Sequence, residues 1–549
     1  MHRALAIQDI LSSILDQLST TYNRDHRSEL AALARTCRTF KEPALNELWN
    51  TLENLSPLVR CIPEASYRAF SESGGIAVRS FHIFCYNAWF SECLLFFSGH
   101  STDQHGFSRP LTQTDLATLQ GYTCRIRCVI HFNAGLDWES VRTFLNLPTT
   151  EPLFPNLRTL FCICPDKTMP LLCFPLPSLV RLSVCIPYSH WPSSSLELFP
   201  ALSPGVQTLS ISVPHTVSPF TAKFQPSYVS RWQNLSSLCC LGVMLDVDNL
   251  VYLSRTPTST KLEFSLSATL PALDSPLVFS KLRELLLHSK SLGPISQLLS
   301  QIQLPGITSF AASIDDCPSS QDLTSFLADI LISNSGHTIV SLELNQILHC
   351  RVGDVPRSGI SLGFDDLRSC MAFSHLRDLE IDIASDIALT DTDLLTLASA
   401  WPKLQHLIIN SNWGWNMKGG ITPGGFIELL RTCRSLRTIT LRFDTRGYTE
   451  VLSSQVPTSF GWTFPPDVSI NALDSAIEAE SVPAVAAFFC GLAACFGSRF
   501  TLWAWDCISV MEFQMRDEYV RRWHEVERQV DEALGRRAEY SNCNCTERY

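Results

Sequence analysis

Charge is sparse in this 549-residue chain: 17% of residues are charged, and 42 basic residues face 53 acidic ones, for a net charge of −11. A nucleic-acid-binding protein would show a basic patch or stripe, so that class is not expected. Apolar runs long enough for a bilayer are equally scarce. The one candidate, Val482–Ser498, sits at the short limit, has a proline at its start and meets Arg499 at once. A buried helix followed by the strand FTLWAWD is expected there, with no membrane contact. Met1–Ile7 lacks the charged opening and long apolar core of a signal peptide. A cytoplasmic or nuclear setting is expected, which makes sequons such as Asn234-Leu235-Ser236 irrelevant.

Catalytic signatures are missing as well. There is no Gly-x-Ser-x-Gly elbow, phosphate loop or His-Glu-x-x-His. The glycine cluster from Lys418 to Gly425 lacks the phosphate-loop order and suits a turn between a strand at Leu404 and a helix at Phe426. Cysteine is plentiful, at 21 residues, yet the close pairs Cys124/Cys128, Cys162/Cys164 and Cys543/Cys545 have no second pair at zinc-site spacing. In a reducing compartment Cys37, Cys162, Cys240 and Cys433 read as small core hydrophobes. No metal, no cofactor and no enzymatic activity are expected.

What recurs is a segment of the form L-x-x-L-x-L behind a proline or polar turn. Clear copies begin at Phe154, Leu176, Ser203, Trp232, Phe279, Phe373, Trp401 and Cys433, with weaker ones at Leu262, Leu304 and Thr338. Each reads as a short strand with alternate residues inward. Their spacing, roughly 20 to 37 residues, overlaps the leucine-rich repeat at its short end. Helical patterns fall between them at Asp322–Ser333, Asp391–Ala400 and Pro423–Thr432. A strand then a helix, repeated, makes a parallel inner sheet with outer helices. Segments from Val78 and Cys124 read as earlier strands of the same array. A final helix, Met515–Leu534, with Val520, Trp523, Val526 and Val530 on one side, reads as a cap on the open end.

The N-terminus is different. Ile7, Ile10, Leu11, Ile14, Leu15 and Leu18 form one apolar helical stripe. Leu30, Leu33, Ala34 and Cys37 suggest a second helix after a polar bend, Thr20–His26. Thr39 and Glu42 have capping-box spacing, which would put Pro43 in the first turn of a third helix bearing Phe40, Ala44, Leu45, Leu48 and Trp49. Three helices this short leave apolar surface for another protein or the next domain. No long Gly/Ser-rich stretch follows Trp49, so a rigid join is expected.

The order of features, ending in Cys-Arg-x-Phe and Ala-Leu-x-x-Leu-Trp, resembles the F-box of fungal (basidiomycete-type) F-box proteins with degenerate leucine-rich repeats. It departs from them at Leu5-Ala6 and Gln8, where a Leu-Pro pair commonly opens the first helix. The resemblance implies an α/β fold: an F-box at 1–50, a helical linker at 51–75, an irregular repeat solenoid at 76–510, a capping helix at 511–535 and a disordered tail at 536–549. It implies a non-catalytic substrate receptor that docks a Skp-type adaptor and, through it, a cullin–RING ubiquitin ligase. Adaptor contacts would come from Leu5, Ile7, Ile10, Leu11, Ile14, Leu33, Phe40, Pro43 and Trp49, with Leu15, Leu18 and Leu45 holding the helices together. A scaffold whose F-box-like helices bind no adaptor is the alternative.

The residues between the strand leucines should line the binding face: Arg181, Ser183, Thr208, Ser210, Glu284 and His288, then Glu343, Asp378, Glu380 and Asp382. The last four would form an acidic patch suited to a protein substrate with a basic segment. Trp413 and Trp415, flanking Gly414, read either as interface anchors or as fillers beneath a loop.

Overall fold

The computed structural model describes residues 11, 25–62, 67–70, 104–107, 109, 111–130, 151–163, 175–185, 203–213, 232–245, 247–256, 258–267, 273, 275–334, 338–347, 361–415, 420–448, 467–496, 499–503 and 513–535. Two compact units, Met1–Ser265 and Leu266–Tyr549, divide the chain. The strand expected from Val78, the second half of the Cys162/Cys164 pair, and the tail beyond 535 lie outside the described residues.

In the first unit, helices α1 (Asp25–Ala34) and α2 (Arg38–Asn50) pack on each other and run directly into strand β1 (Thr51–Leu52). The short α3 (Ser56–Arg60) and then α4 (Gln113–Thr123) follow. Segment 51–75 is therefore not purely a helical linker: it contributes β1, and Tyr67–Phe70 is a strand antiparallel to Gln104–Phe107. Helix α2 also starts earlier than its sequence suggested. Cys37 is the N-cap, with no side-chain capping bond, and Pro43 lies inside the helix. Glu42 was thus misread as half of a capping box. It pairs instead with Arg125, at 2.7 Å.

Strands β2 (Cys128–Val129), β3 (Thr159–Ile163), β4 (Arg181–Cys185), β5 (Thr208–Ser212), β6 (Ser237–Met244) and β7 (Lys261–Ser265) add to β1 in chain order, every pair parallel. Helix α5 (Val247–Arg255) carries the chain from β6 to β7.

The second unit repeats the plan. Its strands are β8 (Glu284–Ser289), β9 (Ser309–Ile314), β10 (Ser341–Gln346), β11 (Asp378–Asp382), β12 (His406–Ile409), β13 (Thr438–Thr440), β14 (Asp467–Asn471) and β15 (Arg499–Trp503), again all parallel and in chain order. Helices α6 (Leu292–Leu299), α7 (Ser320–Ser333), α8 (Asp391–Ala400), α9 (Pro423–Thr432) and α10 (Val482–Phe496) lie between them. This is the mixed α/β leucine-rich-repeat architecture expected from sequence.

The repeat works through three linked devices. A large apolar opener, a residue three later and another three after that are all buried, as in Trp401, Leu404 and Leu407. The Leu404 amide closes the turn on the Trp401 carbonyl at 3.1 Å. Next, one carbonyl of the preceding repeat accepts two amides of the following one: Gln405 and His406 both donate to Arg377, and Arg377 and Asp378 both donate to Val340. The same double bond recurs in the first unit, with Arg158 and Thr159 on Arg127. Finally, openers with a polar handle use it backwards along the array. The indoles of Trp232 and Trp401 donate to the carbonyls of Ser203 and Cys370, each at 3.0 Å, which satisfies a buried N–H.

Helix starts are set by side chains reaching back to the backbone. Thr112, Ser319 and Thr390 each form a capping box with an aspartate three residues on. Thr422 caps α9 and is itself gripped by Asp391. The glycine cluster serves this turn: a Cβ on Gly420 would lie 2.7 Å from the backbone of Phe443. At the far end, helix α11 (Phe513–Ala533) buries Trp523, Val526 and Val530 against α10 and contacts β15, and Trp523 donates to the Ser475 carbonyl at 2.9 Å. No helix among the described residues is long and apolar enough to cross a membrane.

Candidate interaction surface

The N-terminal residues separate into those turned toward their own chain and those left partly open. Leu5, Ile7, Ile10 and Ile14 lie outside the described residues. Leu11 is 3% exposed and packs with Leu30, Leu33, Phe40 and Leu48, so it belongs to the helix core and is no free adaptor contact. Trp49 is also turned inward, its ring 4.5 Å from that of Tyr122 on α4. Leu33, Phe40 and Pro43 stay half-buried. Arg125 fastens α2 from outside by pairing with Glu42 and donating to Asn46, and its guanidinium holds the Glu42 carboxyl below the usual range. With Arg127 donating to the Asn50 carbonyl at 2.9 Å, the helices are bolted to the first repeat.

In the second unit the expected acidic residues do share one sheet face. Leu379 and Ile381 point into the core, while Asp378 and Glu380 alternate outward and are half-buried. Register places Glu343 of β10 directly beside Glu380, Ser341 beside Asp378, and Asn345 beside Asp382. Asp382, however, is 1% exposed. Its carboxylate accepts from the Asn412 amide at 3.0 Å, from Ser411 Oγ at 2.8 Å and from Asn412 Nδ2. It anchors the loop after β12 and is not available to a partner. Burial pushes its carboxyl up, and those bonds pull the other way.

The tryptophans fall on the filler side of their two readings. Trp413 and Trp415 are 2% and 1% exposed, so neither serves as a substrate contact. Trp415 Nε1 donates to the Ile409 carbonyl at 3.1 Å, and its amide donates to Asp474. Asp474 in turn pairs with Arg442 at 3.0 Å, both side chains nearly buried. Gly414 has φ +67°, and a Cβ there would meet Asp474 at 2.9 Å. Both constraints favour glycine between the two indoles.

The surface that remains is smaller and differently placed. Glu343 and Glu380 stand side by side, with Ala311 beyond Glu343 and Ile408 beyond Glu380. Asp378 faces His406 at 3.8 Å; burial pushes its carboxyl up, and His406 and Arg377 offset part of that. Burial, then Glu343 and Asp382, push Glu380 up to about 8, although a bond from Asn345 works against them. Two members of this face were missed in the sequence. Asn345 is 1% exposed, and its Nδ2 donates to Glu343. Trp503, on the same row through Ile408, Thr440 and Asn471, is 48% exposed. At about 4.8 Å per strand it stands roughly 19 Å from Glu380. An exposed indole on a sheet face is the sort of residue that anchors interfaces; its signal was an aromatic at an outward position of FTLWAWD.

Glu380 gives a pH-dependent stability. Its carboxyl titrates near 4.5 when unperturbed and near 8 in the fold, so the folded chain holds the extra proton between those values. Stability therefore falls as pH rises from 4.5 to 8 and levels off above it. Glu380→Gln removes the penalty. The gain at high pH is on the order of 2 kcal/mol, after allowing for solvent screening. Denaturant melts of both chains across this range should converge near pH 4.5; a gain independent of pH would contradict the assignment.

Among the described residues no group of three His, Cys, Asp or Glu side chains is arranged to hold a metal ion. The buried thiols of Cys370 and Cys433 are pushed up to about 12 by burial, as suits packing groups.

No family model and no curated protein matches the chain. Among solved structures it is similar to an internalin, InlF, from Listeria monocytogenes strain 4b F2365, at 12% identity and a TM-score of 0.27, covering 68% of this chain and 94% of that one. It is also similar to TLR13 in its complex with ssRNA13, at 11% identity and a TM-score of 0.32, covering 66% of this chain and 54% of that one. The chain thus spans about half the length of the latter. Scores this low carry no argument; the repeat architecture rests on the parallel register itself. A repeat array of this kind offers an extended surface for protein–protein interaction.

Proposed function

We propose that the chain is a non-catalytic substrate receptor, working in the cytoplasm or nucleus, whose N-terminal helices dock a Skp-type adaptor of a cullin–RING ubiquitin ligase while its repeats capture a protein. The observation that carries this reading is the helical hairpin α1–α2 locked to the first repeat by Trp49, Glu42 and Asn46. A docking module fixed in this way holds whatever the first repeats bind at a set distance from the adaptor. Leu33, Phe40 and Pro43 remain partly open for the contact.

One observation favours the alternative, a repeat scaffold without an adaptor: Leu11 and Trp49 are used within the chain. Pro43→Arg separates the two. Pro43 interrupts the helix interior, so an arginine there restores a backbone donor while placing a charge on the half-open face. The receptor reading expects the wild-type chain to co-elute with purified adaptor, and the folded variant to lose it. The scaffold reading expects neither to bind.

A further inference from the structure

The rim of the first unit, where the chain enters its strands, carries two positive charges that the chain itself leaves unanswered. Arg127 immediately precedes β2, and Arg158 immediately precedes β3. The Arg158 and Thr159 amides both donate to the Arg127 carbonyl, at 2.8 and 2.9 Å. The two arginines therefore stand opposite each other on neighbouring strands, about 4.8 Å apart. Both are exposed. Like charges placed this way destabilise a sheet, and a carboxylate between them would remove that cost. Among the described residues neither guanidinium has an ion pair or a hydrogen bond.

A shortage of acid is not the reason, since the chain carries a net charge of −11. Other arginines around the join do have their acids: Arg125 pairs with Glu42, and Arg27 with Glu53. Those side chains fasten the helices, whereas Arg127 and Arg158 fasten nothing. The backbone beneath the pair is fixed all the same. Asn156 Nδ2 donates to the Cys124 carbonyl and Ser178 Oγ to the Pro155 carbonyl, each at 2.7 Å, which ties together the turns leading into β2, β3 and β4. Two guanidinium forks on a fixed base are pre-organised for carboxylates, which they bind in bidentate fashion.

We propose that Arg127 and Arg158 form a docking point for an acidic segment of the captured protein, one carboxylate to each guanidinium. The proposal rests on the reading that the repeats capture a protein, and it names what that protein must present. Alternate residues of an extended segment lie on one side about 6.7 Å apart, a span that two long arginine stems meet by splaying. Arg181, beside Thr159 on β4, continues the positive charge one strand further. The Arg127 amide donates to the carbonyl of Asn50, the last residue of α2. The segment is thus held next to the N-terminal helices, at a spacing set by the hydrogen bonds of the sheet.

The test is fluorescence-anisotropy titration of the full chain with a labelled oligoglutamate peptide, with oligoglutamine as the uncharged reference. Wild type should bind oligoglutamate, more weakly as salt rises, and should ignore oligoglutamine. Arg127→Gln with Arg158→Gln should weaken binding by about tenfold. Arg377→Gln with Arg437→Gln removes the same charge from exposed rim positions of the second unit and should change affinity by less than about twofold. Arg127→Lys with Arg158→Lys keeps the charge without the fork and should lose about threefold. The glutamine pair should melt no lower than wild type, because opposed like charges are relieved. Equal losses in the two glutamine pairs would overturn the proposal. So would inorganic phosphate competing as well as the peptide, which would mark a small-anion site, or tighter binding of a single-stranded oligonucleotide of equal charge, which would mark a nucleic-acid surface. The adaptor is absent from this experiment, so failure here leaves the adaptor reading standing, and failure to bind adaptor leaves this result intact.

Discussion

Trp415→Ala is expected to destabilise the second unit by about 3–5 kcal/mol, the usual range for removing a buried tryptophan. The indole is 1% exposed, donates to the Ile409 carbonyl, and sits on a backbone whose amide holds Asp474 and whose carbonyl accepts from Ile387. Its loss opens a cavity under the loop after β12 and frees the turn that positions Gly414 against Asp474. Denaturant unfolding followed by intrinsic fluorescence and circular dichroism checks it. An interface anchor would behave in the opposite way, with an unchanged unfolding midpoint and weakened partner binding. That outcome would contradict the account of this loop.

Trp49→Ala carries the second large effect, also about 3–5 kcal/mol, and it acts on the join. Trp49 packs against Tyr122 while Arg125, a few residues on, pairs with Glu42. Removing the indole should loosen the N-terminal helices from the first repeat. Amide exchange should then accelerate in both Arg38–Asn50 and Gln113–Thr123, because each helix packs on the other through this contact. Faster exchange in Arg38–Asn50 alone would mean that the two are not coupled. Arg125→Ala should act in the same direction with a smaller effect, since Glu42 is exposed and a surface pair contributes about 1 kcal/mol or less.

The repeats were legible because the leucines report two periodicities at once. Spacing of three marks the turn from opener to strand, as in Trp401 to Leu404, and spacing of two marks the inward residues, as in Leu407 and Ile409. Strand β14 escaped notice: Asp467–Asn471 has Val468 and Ile470 inward but no leucine ladder before it. Capping boxes form where an aspartate follows a threonine or serine by three, at Ser319 and Thr390, and the same spacing marks them in the sequence. The box read at Thr39 misled, because Arg125, just past the end of α4, claims Glu42.

The binding face was harder to read, for a physical reason. Alternation tells which way Asp382 leaves its strand, and it does leave toward the open face. It cannot tell that Ser411 and Asn412 will fold over and bind it. The same blindness left Trp413 and Trp415 open between anchor and filler; for Trp415 the choice depends on Asp474, 59 residues away. Local pattern fixes direction along an element, whereas covering by a distant loop is decided in three dimensions.

The central claim is that the N-terminal helices serve as a docking module, and the most direct test is the affinity of the full chain for a purified Skp-type adaptor, measured by titration. A saturable one-to-one complex is expected, which Pro43→Arg weakens strongly without lowering the melting temperature. No binding by the wild-type chain would contradict it and leave the helices as an end cap on the repeats.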